Sequence, residues 1–241
     1  MKKNILFLSL FIGLLISNKS LSQTTNTNNN YTFKSGDYNG IGKWYMDREI
    51  AYVMGYEGIG WLDRSEREKD ENVSKLIQNM GIKSSDTIAD IGAGSGYHVF
   101  RIAPIANKGM VYAVDIQTEM LMAIENIKET SKIKNIKTIL STEQSVYLPE
   151  NSVDKILMVD VYHEFSFPIE MITSIKSALK PKGELFLIEY RAEDPNVPIK
   201  TIHKMSQQQA VKEFKALGFS FEKNIGNLPW QHCLIFRKPQ K

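Results

Sequence analysis

Short apolar runs alternate with stretches of helical hydrophobic spacing through most of the chain. Five apolar runs are typical of buried strands, and in order they include Thr87–Ile91, Val111–Asp115, Ile136–Leu140, Lys155–Val159 and the run that ends at Tyr190. Five segments favour helices: Arg64–Met80, Tyr97–Ile105, Thr118–Lys132, Phe167–Leu179 and Ser206–Leu217. This alternation predicts an α/β protein with a mostly parallel sheet and right-handed crossovers, in which ligands bind at the carboxyl ends of the strands.

The C-terminal part predicts a different pairing. Residues 219–223 and 231–238 are two short apolar segments with no helix between them, which favours an antiparallel hairpin at the end of the sheet. Lys180-Pro181-Lys182-Gly183 is expected to separate the preceding helix from the fifth strand.

The first 22 residues have the three parts of a secretory signal peptide. A basic start, Met1-Lys2-Lys3-Asn4, precedes an apolar run from Ile5 to Ile16 and the small residues of Ser20-Leu21-Ser22. We expect cleavage near Ser22, with an uncleaved membrane anchor as the alternative; in both cases the protein would be exported, periplasmic or secreted. Residues 23–30 are rich in Thr and Asn and are expected to form a disordered spacer.

Aromatic and glycine residues are dense between Tyr31 and Trp61. Together with the helix after it, this segment predicts an N-terminal extension over residues 31–80, ahead of the main α/β domain over residues 81–241. The extension either covers the ligand cleft as a lid or simply packs in a groove of the sheet.

Composition limits the classes of partner. The chain has 241 residues, 42% of them hydrophobic, which is enough for one domain with a full core. A net charge of +3 without a basic block gives no support for nucleic-acid binding or for a polybasic membrane surface. The single cysteine, Cys233, lies in an apolar run and is interpreted as structural, which excludes an intramolecular disulfide and a cysteine-rich zinc site.

The turn after the first predicted strand carries the clearest chemistry. Asp90 is followed by Gly92, Gly94 and Gly96, and then by Tyr97 where a dinucleotide-binding turn would have its last glycine. Glycines allow positive φ angles and a close approach of a ligand to the backbone. The next strand ends in Asp115, whose carboxylate can accept hydrogen bonds from both hydroxyls of a ribose.

The D-x-G-x-G-x-G pattern from Asp90 resembles the first motif of class I S-adenosylmethionine-dependent methyltransferases. L-P-x-x-S-V-D at 148–154, D-V-Y-H-E at 160–164 and A-L-K-P-K-G-E-L-F-L-I-E-Y-R at 178–191 are similar to the type-11-like group and to small-molecule methyltransferases of quinone biosynthesis. The resemblance covers residues 86–191. It implies a Rossmann-like fold with a seven-stranded, mostly parallel sheet in the order 3-2-1-4-5-7-6 and helices on both faces.

The same resemblance implies S-adenosyl-L-methionine as the cofactor and places it on the ends of the strands. The residues expected to hold it are Asp90, Gly92, Ala93, Gly94, Gly96, Asp115, Ile116, Glu143 and Asp160.

Candidates for catalysis lie after the fourth strand. His163 is the first candidate for a general base, because its ordinary pKa is near neutrality; Glu164 could orient it or act alone, and Tyr162 could line the reaction cavity. Arg48, Arg191 and His203 are candidates for substrate binding, with surface or structural roles as the alternative for each. No His/Asp grouping has the spacing of metal ligands along the chain, which predicts a metal-free site.

These observations favour an exported enzyme that transfers a methyl group to an unidentified small molecule, without nucleic-acid partners and without a membrane span after signal cleavage. A non-catalytic binding protein for S-adenosylmethionine is the main alternative, because that donor is made in the cytoplasm. A nicotinamide oxidoreductase is disfavoured by the glycine spacing. The acceptor and the oligomeric state do not follow from the sequence.

Overall fold

A computed structural model describes residues 30–239, and its main feature is a seven-stranded sheet. The strands of this sheet are β4 (Thr87–Ile91), β5 (Met110–Asp115), β6 (Ile136–Leu140), β7 (Val153–Val159), β8 (Leu179–Tyr190), β9 (Ser220–Asn224) and β10 (Gln231–Arg237). Their spatial order is β6-β5-β4-β7-β8-β10-β9. Strands β4 to β8 are parallel, and β10 is antiparallel to both of its neighbours. The predicted fold class and strand order are confirmed.

Helices cover both faces of this sheet, because alternate side chains of each central strand point to opposite faces. The longer helices are α3 (Val73–Met80), α5 (Thr118–Thr130), α6 (Pro168–Ala178) and α7 (Gln207–Ala216), with one shorter helix, α4 (Val99–Ile102), after the glycine turn. Ile156 of β7 belongs to the apolar cluster that contains α6 and α7 residues, whereas the next residue, Leu157, belongs to the cluster that contains residues of α3, α4 and α5.

The N-terminal segment contains a small antiparallel sheet that the sequence did not predict. Its strands are β1 (Tyr31–Phe33), β2 (Gly40–Tyr45) and β3 (Arg48–Ala51). Strands β2 and β3 are joined by Met46 and Asp47, both with positive φ. Neither residue is a glycine, so the tight turn gave no sequence signal. The short helix α1 (Ile59–Leu62) follows.

The single helix predicted from Arg64 to Met80 is wrong at its centre. The structure has α2 (Arg67–Glu71) and α3, and between them Asn72 has a φ of 54°. The Asn72 side chain accepts a hydrogen bond from the backbone N–H of Lys75 and so caps the second helix. The predicted separation at residues 180–183 is also shifted, because β8 begins at Leu179, directly after α6.

The predicted signal peptide and most of the predicted spacer lie outside the described residues. Between residues 30 and 239, no helix has the length and apolar character needed to span a bilayer.

Candidate active site

A cleft of about 900 Å³ opens at the carboxyl ends of the parallel strands. One wall is formed by residues that follow these strands: Ile91, Gly92, Gly94, Asp115, Ile116, Gln117, Ser141, Thr142, Glu143, Asp160, Val161, His163 and Glu164. The opposite wall includes residues of the N-terminal segment, among them Tyr38, Tyr52, Met54, Trp61 and Leu62. The N-terminal segment therefore lies over the carboxyl ends of the strands and lines the cleft.

The glycine turn exposes main-chain atoms to the cleft. Gly92 and Gly94 have φ angles of 74° and 53°, and both line the cleft. A Cβ atom on Gly92 would lie 2.5 Å from Val161 Cγ2, and one on Gly94 would lie 2.6 Å from Leu62 Cδ1. No side chain fits at either position without displacing a cleft residue, so the main chain stays open to a ligand.

Gly96 and Ala93, which were also predicted from this motif, pack inside the protein. A Cβ atom on Gly96 would lie 2.7 Å from Phe100 and 2.9 Å from Ile124, so this glycine permits close packing of the helices. Ala93 is 6% exposed and belongs to the core. Neither residue lines the cleft, and their contribution is to the shape of the turn.

Asp115 ends β5 and is tied to the glycine turn. Its Oδ2 accepts a hydrogen bond from the backbone N–H of Gly94, and its Oδ1 accepts one from that of Gln117, both at 2.9 Å. Burial raises its pKa, although these backbone donors act in the opposite direction. Each carboxylate oxygen can accept more than one hydrogen bond, so both retain capacity for ligand hydroxyls.

Asp90 does not reach the cleft surface. It is 1% exposed and its Oδ2 has no hydrogen-bond partner, and burial, opposed by Arg67, raises its pKa to about 8. The predicted direct contact of Asp90 with a cofactor therefore has no support in the geometry. Asp90 lies beneath the turn, where its neutral form is favoured.

Three further predicted cofactor residues, Ile116, Glu143 and Asp160, line the cleft. Asp160 has a φ of 50°, and its Oδ2 accepts a hydrogen bond from Gln231 Nε2 at 2.5 Å. Its Oδ1 is buried without a partner. Burial and the nearby carboxylates raise its pKa well above the ordinary value.

A group of charged residues beside Asp160 was missed by the sequence analysis. Glu71 accepts hydrogen bonds from Arg64, from Arg67 Nε at 2.8 Å and from the Tyr190 hydroxyl at 2.9 Å. Arg67, Glu71 and Tyr190 line the cleft. The pattern around α2 indicated only a surface helix, and nothing in the sequence linked it to the end of β8.

His163 also lines the cleft and has two polar neighbours. Its Nδ1 is 2.6 Å from Glu189 Oε2, and its Nε2 is 3.1 Å from His203 Nδ1. Burial alone would lower the pKa of His163, but the charge of Glu189 and the hydrogen bond to it outweigh this effect and hold the pKa above its ordinary value. Glu189 thus orients the ring and stabilises its protonated form.

Glu164 and His203 complete this group. Glu164 Oε1 lies 3.8 Å from His163 Nε2 and 3.8 Å from His203 Nδ1. Burial raises the pKa of Glu164 to about 7, against the effect of His163. Burial, His163 and Lys200 lower the pKa of His203 to about 4, so His203 is neutral at physiological pH.

Three predicted residues lie away from the cleft. Tyr162 is fully buried and donates a hydrogen bond to Glu213, so it does not line a reaction cavity. Arg48 is buried against Glu213 and also donates to the carbonyl of His163, and Arg191 donates to the backbone carbonyls of residues 228, 229 and 231. Both guanidinium groups are occupied within the protein, so their predicted substrate contacts are corrected to structural ones.

The cleft fits a nucleoside cofactor. It has backbone without side chains at Gly92 and Gly94, a carboxylate with free capacity at Asp115, and room for both a donor and an acceptor. The residues that would hold the cofactor are these three together with Ile116, Glu143 and Asp160.

Known proteins share both the sequence and the fold. The family described as "Methyltransferase domain" matches residues 82–233. The chain is 28% identical over 144 residues to the uncharacterized methyltransferase YdaC of Bacillus subtilis, covering 59% of this chain and 76% of that protein. It is 30% identical over 135 residues to a tRNA U34 carboxymethyltransferase of Campylobacter curvus, but this match covers 54% of this chain and only 45% of the relative.

A solved structure agrees with the fold. The crystal structure of an S-adenosylmethionine-dependent methyltransferase from Aquifex aeolicus superimposes with a TM-score of 0.73 at 24% identity, covering 77% of this chain and all of that one. The family match extends over more than half of the chain, from before the glycine turn to β10. The chain belongs to the methyltransferase domain family and is a class I S-adenosylmethionine-dependent methyltransferase.

Proposed function

We propose that this enzyme methylates a small molecule that binds between the aromatic residues of the N-terminal segment and His163. The observation that carries this proposal is that one cleft is lined both by the glycine turn with Asp115 and by His163, whose Nδ1 pairs with Glu189. When bound, S-adenosylmethionine supplies a methyl group that is already activated on a sulfonium. The protein therefore has mainly to align the two reactants and exclude water.

The walls of the cleft suit a compact acceptor. Tyr38, Tyr52 and Trp61 contribute aromatic surface, and Trp61 is still 46% exposed. Aromatic faces bind planar or cationic groups and help to remove water from the reacting pair. The wall carries positive charge at Arg67, which is paired with Glu71, and at Lys200, whose Nζ donates a hydrogen bond to Asn39 Oδ1.

His163 is the proposed general base for an acceptor that must lose a proton. Its Nδ1 is held by Glu189, so the nitrogen that remains for an acceptor proton is Nε2, on the side of His203 and Glu164. Glu189 is fully buried and stabilises the imidazolium that forms when Nε2 takes the proton. An acceptor with a hydroxyl, thiol or protonated amine would use this step.

A nucleic-acid acceptor is the second candidate, because three relatives are tRNA U34 carboxymethyltransferases. Each of them is matched over less than half of its own length, and this chain has a net charge of only +3. Binding to phosphate backbones depends on clustered basic residues. We therefore place the small-molecule acceptor first.

The test is to incubate the protein with isotope-labelled donor and cell extract, and to identify labelled products by mass spectrometry. Label in a small molecule supports the proposal, whereas label only in RNA supports the second candidate. Donor binding without any labelled product would contradict both.

The role of His163 has its own test. The variant His163→Gln should keep its affinity for the donor but lower turnover by about 10²- to 10⁴-fold, which is the usual contribution of a general base. His232→Gln is a matched control, because His232 also pairs with a carboxylate, Glu193, but does not line the cleft. Equal turnover of the His163→Gln variant and the wild type would exclude His163 as the base.

A further inference from the structure

The side chains of His163, Glu164 and His203 bring three potential ligand atoms close together at the wall of the cleft. His163 Nε2 and His203 Nδ1 are 3.1 Å apart, and Glu164 Oε1 is 3.8 Å from each. Each of the three residues offers one ligand atom to this group, and all three residues line the cleft.

These distances match the requirements of a transition-metal ion. Two nitrogens bound to a tetrahedral Zn²⁺ at about 2.0–2.1 Å lie about 3.3 Å from each other, close to the observed separation. The carboxylate oxygen is slightly farther away, but it belongs to a flexible side chain that needs a shift of only about 0.5 Å. Two histidines and one glutamate are the protein ligands of a common class of catalytic zinc site, in which further positions stay open.

The surroundings orient the three donors as a metal site requires. His163 Nδ1 lies 2.6 Å from the buried Glu189, and this contact directs Nε2 toward the other two ligands. A carboxylate on the second nitrogen of a ligating histidine fixes the tautomer and makes the histidine a better ligand. Glu164 Oε1 also accepts a hydrogen bond from the backbone N–H of Met54 at 3.3 Å, a long contact that keeps the carboxylate near the two histidines and still allows the small shift.

The short contact between the two histidines has a simple chemical meaning. Two imidazole nitrogens at 3.1 Å share one proton, which one of them donates and the other accepts. A divalent cation that displaces this proton would bind a lone pair of each nitrogen, with the Glu164 carboxylate as its third ligand.

We propose that His163 Nε2, His203 Nδ1 and Glu164 Oε1 bind one divalent transition-metal ion, preferably Zn²⁺, with open coordination positions facing the cleft. The prediction of a metal-free site rested on spacing along the chain, whereas the fold brings together His163 and His203, which are 40 positions apart in the sequence. Binding of the ion does not depend on methyl transfer.

One consequence does rest on the proposed function. A histidine nitrogen that binds the ion cannot also accept a proton, so in the metal-loaded protein the ion would replace His163 as the group that favours loss of the acceptor proton. An acceptor with a thiol or hydroxyl group would bind at an open position, where the ion lowers the pKa of that group.

The test uses the full-length protein after treatment with a chelator, titrated with ZnCl₂ in a calorimeter. We expect one ion per chain with a Kd below about 1 μM. His203→Gln should weaken binding at least about 100-fold, since loss of a ligand should exceed the 10- to 100-fold effect of losing a supporting contact. His232→Gln is the matched control and should stay within about twofold, because His232 lies outside the group. The wild-type protein with Co²⁺ should show visible absorption bands that His203→Gln lacks.

Two results would overturn the proposal: a wild-type Kd for Zn²⁺ above about 100 μM, or equal Zn²⁺ affinity in the His203→Gln and His232→Gln variants. Thermal unfolding and S-adenosylmethionine titration of each variant check that it is folded, and Glu164→Gln replaces His203→Gln if the latter is not. A protein that binds S-adenosylmethionine but not Zn²⁺ refutes the metal site and leaves the proposed function standing. A protein that binds Zn²⁺ but yields no methylated product supports the metal site and contradicts the proposed function.

Discussion

Replacing Asp115 with asparagine tests how the cleft holds the donor. Both carboxylate oxygens of Asp115 accept backbone hydrogen bonds at 2.9 Å, one from Gly94 and one from Gln117. Asparagine has nearly the same shape but only one acceptor oxygen. One of the two N–H groups in Asp115→Asn must therefore face an NH₂ group instead of an acceptor.

The loss of one acceptor oxygen sets the expected size of both effects, on stability and on donor affinity. A buried N–H without an acceptor costs about 1–3 kcal/mol, which lowers Tm by roughly 2–4 °C for each kcal/mol in a chain of this size. A ribose hydroxyl that loses a charged acceptor gives up about 1.5–3 kcal/mol, so the Kd for S-adenosylmethionine should rise about 10- to 150-fold.

Asp154→Asn is the matched control. Asp154 lies near the start of β7, at the amino ends of the parallel strands and away from the cleft. Its Oδ2 accepts a hydrogen bond from the backbone N–H of Thr87 at 2.9 Å. The single oxygen of asparagine can keep that bond, and the ion pair with Lys180 is partly exposed, so the loss should be below about 1 kcal/mol. Donor affinity should not change.

Calorimetric titration with S-adenosylmethionine measures the affinity, and thermal unfolding without ligand measures the stability. A Kd for the Asp115→Asn variant within about twofold of the Asp154→Asn value would refute the assignment of the ribose to Asp115. A large loss of affinity in both variants would show that the effect comes from the fold and not from the cleft.

Three further predictions concern the turn, the core and pH. Gly94→Val should abolish donor binding, whereas Gly81→Val should retain it in the same titration, because Gly81 has a similar φ of 54° but open space around its Cβ position. Arg48→Met leaves the buried Glu213 without its charged partner and should cost about 3–5 kcal/mol in urea unfolding; a loss below about 1 kcal/mol would contradict this. Asp90 has a pKa of about 8 in the folded protein against an ordinary value of 3.8, so the folded state holds a proton that the unfolded state releases between these pH values. Its contribution to stability should fall by up to about 1.4 kcal/mol per pH unit as the pH rises from 5 to 7. Urea unfolding of Asp90→Asn should lack this part of the pH dependence, and an identical slope in both proteins would contradict the raised pKa.

The sheet and the donor end of the cleft could be predicted because their signals are local. Parallel strands appear as apolar runs, and even the edge strand β6, in which only Ile136 is buried, was predicted with the bounds Ile136–Leu140 that the structure has. The positive φ angles at Gly92 and Gly94 need glycine, so the turn is visible in the sequence itself. Asp115 could be placed because it directly follows an apolar run.

The acceptor end depends on contacts between distant parts of the chain. His203 lies on a short 3₁₀ turn, Thr201–His203, in a long connection, and no periodic pattern indicates that it reaches His163. Arg48 was predicted to bind substrate because nothing in the sequence links it to its partner Glu213, which lies 165 positions later on α7. Such pairings follow from the packing of elements and not from the spacing within one.

The central claim is that the cleft beside the glycine turn binds S-adenosylmethionine, and calorimetric titration of the wild-type protein tests it most directly. The account predicts that S-adenosylmethionine and S-adenosylhomocysteine each bind with one molecule per chain and that NAD does not bind. Absence of heat with both sulfur nucleosides, or preferential binding of NAD, would contradict it.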